Sequence, residues 1–373
     1  MKSCIAVGLW MVALGACQVV ALPQVVEERK EVSASELFDR GTLAVMTRGL
    51  SPGMGVERVL EAPTAAELPA RAAEMFGALS HEALSARARK LADEIQYARP
   101  HLIGLQQVTQ VRLQSPGDSL FGGTQPAEAV YLDALPVLLG ELEARGLHYR
   151  EVARVRNADV EVPLLSGPGP TFDDVRLTDF DVILARADVD VSEVRTGNYG
   201  ARREVSRPGL EPVTLPRGWA SVAAKVEGRK YRFVSTHLEP APDEEGLRVQ
   251  LAQARELIST LRGEPLPVVL VGDFNTPANL GRMGAPTYRE LLLADYVDVW
   301  TRRLGEVPLE MSALAERLHL VLVRTPVTPG LRRMGPVLAY AVGGTREERR
   351  FGPWRSDQDG VVARLRMPTC TRN

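Results

Sequence analysis

Cysteine is nearly absent from this chain: Cys4, Cys17 and Cys370 are the only three in 373 residues, and two of them lie in the first seventeen. A disulfide framework and a cysteine-built zinc site are therefore excluded. Lysine is almost as scarce, since only Lys2, Lys30, Lys90, Lys225 and Lys230 occur and all other basic residues are arginine. Neither sign of charge is in excess, with 45 Lys+Arg against 47 Asp+Glu and a formal net charge of -2. Long-range steering toward DNA is thus not a major force, and any anionic partner must be met by a local basic site. Beyond the N-terminus no apolar run approaches the roughly 20 residues that span a bilayer. Internal repeats, low-complexity blocks, a P-loop and an HExxH metal motif are all missing. What remains is 45% hydrophobic and 25% charged, ample material for a globular core. The length allows one large domain or two ordinary ones.

The N-terminus carries Lys2, an apolar run from Ile5 to Ala16, and then Cys17. That run is too short to cross a membrane comfortably and reads as a signal-peptide core. Leu14 to Cys17 resembles the bacterial lipobox, where a peptidase cuts before a cysteine whose thiol carries a diacylglyceryl anchor. The chain then divides into a signal peptide (1–16), a tether (17–41), a folded domain (42–366) and a tail (367–373). The alternative is cleavage after Ala21 and plain secretion. Either way the expected protein is exported, either as a membrane-anchored lipoprotein or as a secreted monomer.

Within the domain, Thr42–Thr47 and His101–Val108 have the short apolar runs of buried strands, and Glu82–Ala98 repeats its apolar residues at helical spacing before Pro100. Ser115–Pro126 is turn-rich, and a leucine-rich helix is expected after it, with Pro136 a candidate kink. From Tyr149 to Thr236 the pattern predicts many short strands, with a tight turn at Glu227–Arg229. Asp243 is placed to cap a long amphipathic helix to about Leu261, followed by an apolar strand at Leu266–Val271. Further strands are expected at Leu318–Val323, Val337–Val342 and Gly360–Leu365. Strands alternating with helices, together with runs of consecutive strands, predict one α/β domain of two sheets covered by helices.

The sharpest chemical signal is the strand that delivers Asp273 and Asn275 at its carboxyl end. Residues two apart on an extended chain point the same way. A carboxylate beside an amide suits deprotonation of an attacking water and restraint of a phosphoryl oxygen, although Asp and Asn also simply begin turns. His237 ends another β-rich run, and Asp357 lies in Trp354–Gly360 before the last strand. Gly49–Gly53 matches the Gly-x-Ser-x-Gly pattern of serine hydrolases, but that elbow needs the N–H after the serine and Pro52 has none. Arg346–Arg350 is a mixed charge run that reads as a solvated loop.

Taken in order, Gly104–Val108, Phe233–Glu239, Val268–Pro277 and Trp354–Gly360 resemble the endonuclease/exonuclease/phosphatase superfamily. The shorter segments Ala44–Arg48, Arg176–Asp179 and Arg217–Trp219 look like those of its secreted bacterial members. The resemblance implies a four-layer sandwich, two β-sheets packed face to face and flanked by helices, with a divalent metal, usually Mg2+, at one end. It also implies hydrolysis of a phosphoester by in-line attack of water. By motif, His237 matches the phosphate-contacting histidine, Asp273 and Asn275 match the water-orienting aspartate and its partner amide, and Asp357 matches the acidic residue of the C-terminal motif.

Four positions depart from that pattern. Gly49 stands where the family has asparagine, Gln107 where the principal metal ligand is glutamate, His319 where a buried aspartate is usual, and Gln358 where a histidine ends the C-terminal motif. Replacing Glu by Gln keeps the shape and removes the charge that Mg2+ requires, so the metal is expected to bind weakly or not at all. Loss of a phosphate donor at 358 removes a contribution typically worth about 100-fold in rate. The expectation is therefore a phosphoester hydrolase architecture with a depleted metal and catalytic site, slow or inactive. Two alternatives stay open: an active phosphodiesterase or phosphatase with rearranged ligands, including Asp359, and a non-catalytic protein that binds a phosphorylated ligand or a protein partner. A phosphorylated small molecule, a lipid and a nucleic acid all remain open as substrates, with choice among them expected in loops at Ser115–Pro126 and Asn157–Asp174.

Overall fold

The computed structural model describes residues 41–51, 57–60, 62–167, 171–207, 210–278, 286–302, 317–326, 335–343 and 359–366. In chain order, the strands of its first half are β1 (Thr42–Gly49), β2 (Leu102–Gln114), β3 (Ala129–Asp133), β4 (Tyr149–Ser166), β5 (Thr171–Arg186), β6 (Asp190–Asn198), β7 (Arg203–Arg207) and β8 (Leu210–Leu215). They are followed by β9 (Gly218–Val226), β10 (Arg229–His237), β11 (Val268–Asp273), β12 (Val297–Asp298), β13 (His319–Arg324), β14 (Gly335–Gly343) and β15 (Asp359–Arg366). The helices are α1 (Glu57–Leu60), α2 (Leu68–Ala78), α3 (His81–Ala98), α4 (Ala134–Glu143), α5 (Glu244–Leu261) and α6 (Pro286–Leu293).

Two large sheets result. The first runs β14-β15-β1-β2-β5-β4 with β3 added on β2, and the second runs β12-β13-β11-β10-β9-β6. Period-two alternation sends successive side chains to opposite faces, which makes three apolar layers from two sheets. Leu43 and Val45 point into the layer between the sheets, while Met46 packs under the helices. In β11, Val269 and Val271 face the inter-sheet layer, and Val268 and Leu270 pack beneath α5 and α6. Three cores between four layers are the architecture of a sandwich flanked by helices.

Local chemistry fixes the elements much as the pattern predicts. Ser80 caps α3 by accepting from the Ala83 N–H at 2.9 Å, and its buried face is Leu84, Ala88, Leu91, Ala92 and Ile95. Asp243 caps α5 through the Gly246 N–H at 2.7 Å. Pro136 does not kink α4, because it sits in the first turn, where the N–H has no helical partner in any case. The turn after β9 is Glu227–Gly228, both at positive φ, between the paired residues Val226 and Arg229.

The region expected to hold many short strands does contain five, β6 to β10, but it opens with two long ones, β4 of 18 residues and β5 of 16. They pair antiparallel across Pro163 opposite Asp174. Asn157–Asp174 is consequently strand for most of its length and does not serve as the expected specificity loop. Ser115–Pro126 does form irregular connections with one short 3-10 turn.

Candidate functional site

The site forms where strand ends of both sheets meet. β10 and β11 are parallel, with His237 beside Asp273, and β13 runs antiparallel to β11, with His319 beside Asp273. Register alone therefore places His237, Asp273 and His319 in a row across three adjacent strands. The Asp273 Oδ2 atom lies 4.0 Å from His237 Nε2 and 3.7 Å from His319 Nε2. Its other oxygen accepts the Asn275 N–H at 2.9 Å. Gly272 makes this approach possible, since a Cβ there would lie 2.0 Å from the Thr236 carbonyl oxygen.

Asn275 takes a positive φ of 48° and gives one amide hydrogen to the Leu238 carbonyl at 2.8 Å, which leaves a second N–H available. Two buried glutamines of α5 secure the surrounding backbone. Gln250 donates to the carbonyls of Glu239 and Asn275, and Gln253 accepts the Glu239 N–H.

The first sheet adds groups that sequence reasoning did not single out as site residues. Asp179 and Asp181 are two apart on β5 and lie with His237 in one buried cluster whose ligand atoms are all within 4.8 Å of one another. Arg217 binds across it, donating through Nη1 to His237 Nδ1 at 3.4 Å and through Nε to Glu239 at 3.2 Å, with Asp179 3.9 Å away. Accepting from Arg217 leaves His237 Nδ1 without a proton and puts the ring hydrogen on Nε2, toward Asp273. The signal for the missed pair was two carboxylates at period two, Asp179 just before and Asp181 within the apolar run Phe180–Ala185.

Electrostatics follow from burial. Among the described residues neither oxygen of Asp181 completes a hydrogen bond, and the residue is fully buried. Desolvation first, and then the Asp179 charge, push its carboxyl well above the ordinary range, against weaker pulls from Asn157, Arg217 and the Gln107 N–H. Desolvation, then Arg217 and His319, hold the His237 imidazole well below its ordinary pKa, so it is neutral. Asp181 Oδ1 and the unprotonated His237 Nδ1 lie 3.9 Å apart, a gap suited to the proton that the raised Asp181 carboxyl retains or to a cation in its place.

Gln107 occupies a bulge of β2 opposite Asp181, with φ of 56°. Its N–H favours the Asp181 anion, so it belongs to the same neighbourhood, but its side chain is a neutral amide. Gln106 is buried beside it, accepting from Thr47 at 2.9 Å and donating to Ser235 of the second sheet at 3.0 Å. Gly104 allows the two sheets to approach there, because a Cβ would meet Ser235 Oγ at 2.6 Å. Gly49 ends β1 beside Gln106. Asp357, Gln358 and Cys17 lie outside the described residues.

A match to a family model described as the Endonuclease/Exonuclease/phosphatase family covers residues 76–357. The chain belongs to this family. One solved structure supports the fold, and two others are similar at lower scores. An endonuclease/exonuclease/phosphatase from Beutenbergia cavernae is 18% identical, with a TM-score of 0.51 over 88% of this chain and 72% of that one. A family protein from Bacteroides vulgatus is 15% identical, with a TM-score of 0.47 over 87% and 99%. A humanized D. rerio TDP2 is 16% identical, with a TM-score of 0.46 over 87% and 99%. No curated protein matches the chain.

Endonuclease/exonuclease/phosphatase proteins typically bind a divalent metal. Among the described residues, Gln107 does not fit that role, having no charge to offer. Asp179, Asp181 and His237 do fit as donors, since an orphaned buried carboxylate facing an unprotonated imidazole is short of one cation. Arg217 already holds positive charge against the same nitrogen, which opposes a second cation and limits affinity.

Proposed function

We propose that the protein is a phosphoester hydrolase of this family whose metal and catalytic site is depleted, so that turnover is slow or absent. The observation that supports this most is the neutral Gln107 beside Asp181, with Arg217 occupying the remaining acidic cluster. Magnesium, which demands anionic oxygen, is held weakly there. In the retained half, Asp273 Oδ2 orients and deprotonates water, and the Nε2–H of His237 and the free amide hydrogen of Asn275 donate to phosphoryl oxygens. A divalent ion, when bound by Asp179, Asp181 and His237, would add Lewis-acid neutralisation of phosphoryl charge.

The same acidic cluster favours a second reading, an enzyme with rearranged ligands that prefers an ion tolerant of imidazole, such as Mn2+. Titration of Mg2+ and Mn2+ against a phosphodiester and a phosphomonoester separates the two. Turnover at or above about 1 per second in Mg2+ would refute the depleted-site reading. The export reading is part of the same proposal: Cys17 carries the lipid anchor that holds the domain outside the cytoplasm. Loss of metabolic fatty-acid labelling in Cys17→Ala is expected, and unmodified wild-type protein beginning at Leu22 in the medium would refute it.

A further inference from the structure

A near-neutral chain must meet an anion with a local cationic site, and the fold contains one outside the Asp273 cluster. β1 ends at Gly49, and α3 brings Arg87 and Lys90, three residues apart, to the same helix face beside it. With Arg48, Gly49, Ser51 and Leu91 they line a solvent-open concavity of about 70 Å³. It lies at the carboxyl end of the parallel pair β1 and β2, where Gly49 pairs with Gln106. Open parallel sheets place ligands at that end.

The charges there are preset and only partly neutralised. Arg48 is almost wholly buried, paired with Glu94 at 3.1 Å, and donates to the Gly49 carbonyl at 3.4 Å. Arg87 donates to the Ser51 carbonyl. Backbone carbonyls thus pin two guanidinium groups while leaving each with further N–H donors. Lys90 is half-buried and has neither an ion pair nor a hydrogen bond among the described residues. Among the described residues three cations face one carboxylate, a local excess, whereas many of the chain's arginines, such as Arg145, Arg176 and Arg186, are matched by acids.

We propose that this concavity binds a phosphate group, with Lys90 and Arg87 supplying the charge and Arg48 the fixed floor. Asp273, His237 and Asn275 are not among its lining residues, although Gly49 is shared with the altered family positions, and binding here needs no hydrolysis. A chain that cleaves no phosphoester still binds phosphate here, so failure of the functional reading above and failure of this one are separately visible.

Calorimetric titration of the full chain with inorganic phosphate and with glycerol 3-phosphate tests it. Saturable binding is expected, weakened at least tenfold by Lys90→Gln, restored by Lys90→Arg, abolished by Arg87→Gln with Lys90→Gln, and unchanged by Lys225→Gln, at an exposed lysine of β9 that lines no part of the concavity. Raising salt should weaken it, as screening requires. Tighter binding of glycerol 3-phosphate identifies a phosphomonoester as occupant, and the reverse order identifies free phosphate; both depend on Lys90. Phosphate binding that survives Lys90→Gln with unchanged circular dichroism, that falls equally in Lys225→Gln, or that is absent from the wild-type chain would overturn the proposal.

Discussion

The two ends of the same strands are built on opposite rules. At the amino end of β2, His101 Nδ1 accepts the Ala44 N–H at 3.0 Å, and Tyr149 donates to the Pro100 carbonyl at 2.6 Å. There too Arg364 donates to the Ala98 carbonyl, and Arg186 binds Asp188 and the Arg99 carbonyl. Each of these polar groups closes a backbone end. Positive φ occurs at both ends, at Arg99 only as a helix cap and at Gln107 and Asn275 within the site, but at the carboxyl end Asp181 is buried beside Asp179 with no hydrogen bond among the described residues. Strain and unmet charge persist only where surrounding structure enforces them, and they cluster at functional sites. Substitutions at the amino end should therefore cost stability and leave chemistry alone, while those at the carboxyl end should do the reverse.

The sharpest break in that contrast is Asp273→Asn. Asparagine keeps an oxygen for the Asn275 N–H but cannot take a proton. Residual phosphodiester turnover should fall by about 10²–10⁴ with little change in Tm. Activity that survives would move the chemistry away from this row of residues.

At the opposite end, His101→Leu strands the buried Ala44 N–H, a loss of about 1–3 kcal/mol that thermal unfolding would register with unchanged turnover. Burial, with help from Arg186, lowers the His101 pKa to about 4. The unfolded chain then binds the proton more readily, so this residue's contribution is intact above about pH 6.5 and is lost as pH falls toward 4. In His101→Leu that part of the acid sensitivity should vanish, and an identical pH profile would show that the acid transition arises elsewhere.

Gln107→Glu should act next, returning charge to the metal side of the site and tightening Mg2+ by about tenfold, or 1.4 kcal/mol, in a calorimetric titration. Its effect on rate need not add to those of Gln358→His, Gly49→Asn or His319→Asp, because ligand, base and donor act as a unit. No change in Mg2+ affinity would mean that Arg217, rather than the missing charge, sets the limit.

How much of this was legible before the fold depended on periodicity. The helices at 81–98 and 244–261 and the strands at 268–273 and 319–324 announced themselves through spacing and caps, as did the tight turn after Val226. The length of β4 and β5 did not, because Pro163 and alternating charges mimic loop composition. His237, Asp273 and Asn275 stood at readable strand ends, and the fold brings them together with Gln107 and His319. Asp179, Asp181 and Arg217 were not legible as partners, since their meeting depends on how one sheet lies on the other. Spacing within one strand carries no such information.

Asp181→Asn is expected to have the smallest effect, and its sign separates the two ends most directly. An ordinary buried polar group repays its desolvation through hydrogen bonds, so removing its charge costs stability. Asp181 makes no such bond, and its anion also faces Asp179 and the unprotonated nitrogen of His237. An amide of the same shape can donate to that nitrogen and carries no charge to desolvate. Metal-free Asp181→Asn should therefore unfold at the same temperature as the wild type or slightly above it, a gain within about 1 kcal/mol. Excess Mn2+ should then stabilise the wild type by linkage and the variant much less. A metal-free variant destabilised by several kcal/mol would mean that Asp181 is structurally satisfied, and the carboxyl end would have to be understood by the same rule as the amino end.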